Sequence, residues 1–202
     1  MDQLMKQEKP VIAEEANSHR RRLLEGMGQA VAEKGYADTT IADIVAAAGV
    51  SRRTFYEHFK TKAQCLIALY SAASSNALDV LRTAIDPAHD WETQVERAIS
   101  AYFSCLGQNP VLLRTLFIEI LGLGEEGLAA RRRVNQALAD FMLQVINVPA
   151  RARRNKPPLQ PEMAMAVVGG INELVLEAIE RNRTDRLQEL VSPSLQLVRA
   201  VT

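Results

Sequence analysis

The sequence predicts an all-α protein from three observations. Apolar residues recur at the 3.6-residue period through most of the chain, no segment alternates at period two, and no Asn-Gly or Asp-Gly pair marks a hairpin turn. With 202 residues, 48% of them hydrophobic and 24% charged, the chain can bury a core and falls outside the disordered and fibrous classes. The expected organisation is a flexible arm over 1–16, a three-helix head over 17–62 and a larger helical body over 63–202.

Each element has its own signal. Leu23, Leu24, Met27, Ala30 and Val31 form one stripe, with Arg21, Arg22, Glu25 and Gln29 off it, so a first helix is expected to end near Gly35. Thr40 with Asp43, and Thr61 with Gln64, have the form of capping boxes. Asp90 caps the start that follows the Asp86-Pro87 break, and Asn109-Pro110 places a capping side chain before a proline at the first helical position. The three glycines between Leu121 and Gly127 predict a break, after which Leu128 to Val148 resumes a helix. Prolines 149, 157, 158 and 161 bracket a basic loop with Arg151, Arg153, Arg154 and Lys156. Met163 to Ile179 carries an apolar band too wide for one buried stripe, and Gly169-Gly170 within it admits a close helix approach. A last stripe runs through Leu187, Leu190, Val191, Leu195, Val198 and Val201, where Ser192-Pro193 is expected to kink or break the helix.

Composition excludes several classes. The longest uncharged stretches, 63–78 and 98–113, are short of the roughly 18 apolar residues of a membrane span. The first ten residues have neither an apolar run nor a small-residue cleavage site, so no secretory signal is expected and the chain reads as cytosolic. Cys65 and Cys105 have no partner spacing and read as structural thiols; His19 and His89 have no ligand neighbours, so no metal or cofactor is expected. No phosphate loop or nucleophile-base set is present, which argues against an enzyme.

Residues 40–59 carry the chemistry. Gly49 can adopt the left-handed conformation that ends one short helix, and Ser51 can cap the next two residues later, which is helix-turn-helix geometry. Ile41, Ile44, Val45, Val50, Phe55 and Phe59 would hold the pair together and leave Arg52, Arg53, Thr54, Tyr56 and His58 outside. Such a helix fits a major groove, with Arg52 and Arg53 able to fork onto a guanine edge or a phosphate, while helix N-termini and Lys62 attract backbone oxygens. The charge agrees: residues 17–62 hold eight basic against five acidic residues in a chain whose total is zero.

The run Thr39-Thr40-Ile41-Ala42-Asp43-Ile44-Val45-Ala46-Ala47-Ala48-Gly49-Val50-Ser51, then Thr54-Phe55-Tyr56-Glu57-His58-Phe59-Lys60-Thr61-Lys62, closely resembles the DNA-binding domain of TetR-type transcriptional regulators. The resemblance covers about residues 17–70 and implies about nine helices in all. It implies DNA contact by Thr40, Ser51, Arg52, Arg53, Thr54, Tyr56, His58 and Lys62, and a homodimer formed by the last two long helices on a palindromic double-stranded operator. It also implies repression relieved by a small molecule held in the middle helices. For that seam the apolar band supplies Val167, Gly170, Ile171, Leu174, Val175, Ala178, Leu190 and Leu195. For a pocket of apolar character, the aromatic and apolar residues of the middle helices are Tyr70, Trp91, Tyr102, Phe103, Leu113, Phe117 and Phe141, with Arg114, Glu119 and Asn135 as polar groups to place. The rival class is a helical DNA-binding or interaction module with no effector. The sequence leaves the effector, the operator and the sign of regulation open.

Overall fold

The computed structural model describes residues 4–147 and 158–202, with side chains from residue 15 onward. The basic loop 151–156 lies outside the described residues. Nine α-helices and two 3₁₀ segments occur among those described, with no strand. The first helix, α1 (Leu4–Asp38), begins where a flexible arm was expected; its opening turns are rich in Lys, Gln, Glu and Ala, all strong helix formers. Its backbone leaves the helical region at Gly35, φ 77°, the predicted end.

Two short helices, α2 (Ile41–Ala48) and α3 (Arg52–His58), cross α1 and are closed by the first turns of α4 (Lys62–Ala84). Leu23, Met27, Ile44, Phe55, Cys65 and Leu66 form the centre of this head, each fully buried. The head's core runs on to Leu69, so the boundary expected after residue 62 falls inside a helix that serves both halves. Gly26 sits at the crossing of α1 and α2. A Cβ there would lie 2.7 Å from the Ile44 carbonyl oxygen and 2.8 Å from the Ala48 nitrogen. Backbone on both sides cannot retreat cheaply, so only glycine permits this approach.

The caps form as the sequence indicates. Thr40 and Asp43 close a reciprocal box, in which the Asp43 amide donates to Thr40 Oγ1 at 3.3 Å and the Thr40 amide to Asp43 Oδ2 at 2.8 Å. Thr61 caps α4 by accepting from the Gln64 amide at 3.1 Å, but Gln64 Oε1 accepts from Lys60 N rather than from Thr61. The body then follows as α5 (Trp91–Gly107), capped by Asp90, and α6 (Pro110–Phe117), capped by Asn109. A 3₁₀ segment at Glu119–Leu123 occupies the glycine-rich break, and α7 (Glu125–Ile146) starts three residues earlier than expected. The last helices are α8 (Pro161–Glu180) and α9 (Val191–Val201), joined by a 3₁₀ segment at Thr184–Leu190. Pro193 does not break α9, because it stands in the first turn, where the N–H it lacks has no helical acceptor.

The wide apolar band of α8 divides between two tasks. Val167, Val175, Ala178 and, from α9, Leu195 are buried in the protomer's own core against α5, so these four residues of the expected dimer seam are not on its surface. Ile171, Leu174 and Leu190 are half-buried, and Gly170 is covered by Leu197. Gly169 opens onto free space, with nothing within 4 Å of its Cβ position.

Head and body meet at the end of α1. Lys62, expected to present a free charge to phosphate, is folded back instead. Its Nζ donates to the carbonyls of Tyr36 (2.9 Å), Ala37 (3.1 Å) and Thr39 (2.8 Å) and lies 4.4 Å from the centre of the Tyr36 ring. The Tyr36 carbonyl also accepts the Thr39 amide at 3.3 Å, and an ammonium carries three donors, one for each carbonyl. From the body, Glu119 Oε2 accepts the Tyr36 amide at 3.2 Å.

Two substitutions test this framework. Gly26→Ala should cost about 2 to 3 kcal/mol of stability in a denaturant titration, as overpacking against backbone does. Lys62→Met, which keeps the aliphatic stem, should cost about 2 to 3 kcal/mol and increase amide exchange across residues 36–44. A Lys62→Met protein as stable as the parent would show that the carbonyl clasp contributes nothing.

Candidate nucleic-acid interface and body cavity

The turn between α2 and α3 is built by Gly49 and Ser51. Gly49 takes φ 60°, ψ 40°, and its amide closes α2 onto Ala46 and Val45. Ser51 Oγ accepts from the Thr54 amide at 3.0 Å and starts α3. Arg22 braces the turn from α1, with Nη2 donating to the Gly49 carbonyl at 2.6 Å. That donor also fills the space a Cβ at residue 49 would need.

With Phe55 buried beneath it, α3 presents its polar residues outward. Arg52 is exposed and makes no ion pair among the described residues. Arg53 is also exposed and pairs along the helix with Glu57 at 3.1 Å, an arrangement worth little in water and readily surrendered. Tyr56 is 54% exposed, with its ring edge-on to Phe55 at 5.5 Å. His58 is half-buried, and burial first, then the neighbouring His19, lowers its pKa below the ordinary value, so it is neutral near pH 7 and able to donate and accept. Arg20, Arg21 and Lys60 add exposed positive charge around this face.

Other residues expected at DNA are occupied within the protein. The Thr40 hydroxyl donates to Asp43 Oδ2 at 2.7 Å. Lys34 Nζ pairs with the other Asp43 oxygen at 2.9 Å. Thr40's hydroxyl, then Lys34, hold the Asp43 carboxyl far below the ordinary carboxylate range. Its charge compensates the positive end of α2 that was expected to attract phosphate. Ser51 and Thr54 share a hydroxyl contact at 2.9 Å, and Lys62 is spent on α1. The outward basic character therefore rests on Arg52, Arg53 and Lys60, with Arg20 over the Phe59 ring, while Arg21 pairs with Glu25 at 3.8 Å.

The body holds a half-open cavity of about 110 Å³ between the C-terminal end of α4 and helices α5, α7, α8 and α9. Trp91, Tyr102 and Phe141 line it, as expected of pocket residues. The remaining four do not. Phe103 and Leu113 are 1% exposed and packed into the core, Phe117 wedges between two clusters, and Tyr70 packs on Leu116, Ile120 and Ala130 nearer the head. Most of the wall is aliphatic, including Leu81, Val95, Leu138, Val145, Val168 and Ile171. Sequence reading missed these because an aliphatic side chain at a core position looks the same whether or not a void faces it. Of the polar groups to be placed, Arg114 is exposed, Glu119 holds the Tyr36 amide, and Asn135 accepts from Asn172 Nδ2 at 3.0 Å. Cys65 is fully buried, which pushes its thiol up to about 12, and among the described residues no helix is long and apolar enough to cross a membrane.

Residues 29–69 match the family described as bacterial regulatory proteins, tetR family. The fatty acid metabolism regulator protein of Bacillus subtilis is 24% identical over 121 residues, 60% of this chain and 61% of that protein. The HTH-type transcriptional regulator TtgR of Pseudomonas putida is 43% identical over 56 residues, 28% of this chain and 27% of its own length. The matched segments thus span less than two thirds of these curated relatives. Over the whole fold, the structure of the transcriptional regulator FadR from Bacillus subtilis, in complex with stearoyl-CoA, aligns with a TM-score of 0.77 at 19% identity, covering 90% of this chain and 98% of that one. Over residues 29–69 this chain is similar to the tetR family of bacterial regulatory proteins, and its all-α fold is shared with the solved FadR structure.

Proposed function

We propose that this protein is a sequence-specific DNA-binding transcriptional regulator, a repressor that a small apolar effector releases from its operator. The observation that carries the proposal is α3, with Arg52 and Arg53 projecting from a turn that Gly49, Ser51 and Arg22 hold rigid. A helix so held can enter a major groove with its arginines at base edges.

Two such helices, carried by a homodimer on a palindromic site, must lie about 34 to 36 Å apart to reach successive grooves. The outward face of α8 and α9, where Gly169 leaves open space, is the surface through which two copies would pair. α4 supplies the link to the effector. Its first turn clasps α1 through Lys62, and its far end places Leu81 and Ile85 in the cavity wall, about 30 Å away at 1.5 Å per residue. A ligand that fills and widens the cavity moves that far end and shifts the population of head spacings, by as much as its preference between them allows. Stearoyl-CoA bound to the Bacillus subtilis FadR structure supports an effector with a long apolar portion.

One observation favours a second reading. At about 110 Å³ the cavity is smaller than the roughly 300 Å³ and above of common ligand sites, which suits a body that serves only as a fixed spacer.

Fluorescence anisotropy with duplexes from the protein's own promoter region tests both readings. Arg52→Ala and Arg53→Ala should each cost about 1 to 3 kcal/mol on the specific duplex and far less on a scrambled one. Affinities unchanged in both variants would remove α3 from the interface. A ligand shown to bind the body that leaves operator affinity flat would favour the spacer.

A further inference from the structure

Among the described residues, the wall of the body cavity contains no Asp, Glu, Lys, Arg or His. Three lining side chains carry polar atoms, Trp91, Tyr102 and Asn172, and all are uncharged. Burial pushes the Tyr102 phenol above its ordinary value, with Tyr70 and Cys105 beside it, so it stays protonated at neutral pH. Asn172 is 5% exposed, and its Nδ2 is turned onto Asn135 of α7. Nearby charges are engaged at the surface, as Glu92 is with Arg199 at 2.8 Å. An apolar void of this order takes small apolar molecules readily. An ionised group entering it would lose its hydration and meet no counter-charge.

We infer that the cavity selects uncharged lipophiles and rejects ionised ones of the same hydrocarbon length. What occupies it is a neutral group such as an alcohol, an ester or a hydrocarbon. This rests on the reading of the body as an effector site and narrows the chemistry of that effector.

The test is titration calorimetry of the full chain at neutral pH with three probes of equal length, octan-1-ol, octanoate and octylamine. Octan-1-ol should bind at least about tenfold more tightly than either ion. Octanoate or octylamine binding as tightly as the alcohol would overturn the inference, as would no binding of octan-1-ol up to its solubility limit. Ala98→Leu, which adds volume to the wall, should abolish octan-1-ol binding; unchanged binding in a folded Ala98→Leu protein would put the alcohol elsewhere and overturn the assignment. The wild-type comparison stands even if that variant does not fold. Operator affinity measured in parallel separates the two claims. Alcohol binding with no effect on DNA leaves the charge selection intact and removes the effector reading, whereas equal binding of the ions overturns the charge selection whatever the DNA does.

Discussion

The position of α3 depends on one ammonium group. Past Gly35 the carbonyls of Tyr36, Ala37 and Thr39 leave the α1 helix in a region partly shielded from water, where the Tyr36 carbonyl also accepts the Thr39 amide at 3.3 Å. Lys62 Nζ meets all three and stacks on the Tyr36 ring, tying the end of α1 to the start of α4. α2 and α3 lie between these two points, so the clasp fixes the frame in which Arg52 and Arg53 are presented. Glu119 takes the amide of the same Tyr36 from the other side. One residue is thereby gripped by the head through its carbonyl and by the body through its N–H.

Local chemistry was legible in the sequence, and long-range chemistry was not. The caps at Thr40, Ser51, Asp90 and Asn109 each join residues three apart, so their spacing alone announces them. Gly49 could be read for a similar reason, since a left-handed residue is needed wherever two short helices turn sharply. Lys62 and its acceptors are 23 to 26 residues apart, and nothing local tells a clasping lysine from a phosphate-binding one. Gly26 was hidden likewise, because its need arises only when α2 arrives across α1. The amphipathic period located α8 correctly but could not apportion its apolar band. Val167 and Val175 turned out to serve the protomer's own core, while the face around Gly169 is left open.

The cavity shows the same limit in another form. Aromatic residues drew attention because they are large, yet Phe103 and Leu113 are among the best-packed side chains of the body. A void is defined by atoms that are missing, and those leave no mark on residue identity. What the sequence does carry is the absence of charge from the wall positions, which becomes visible once the fold brings Leu81, Val95, Leu138 and Val168 together.

The shared helix α4 also constrains how such a protein can be rearranged by recombination. Cys65, Leu66 and Leu69 complete the head's core, although they lie beyond the last residue of the helix-turn-helix motif. A crossover placed directly after that motif would graft a head without its floor onto a foreign body. Exchange of heads between bodies is structurally tolerable only where the breakpoint falls beyond Leu69, in the middle turns of the helix, and where the incoming body brings an acceptor for the Tyr36 amide.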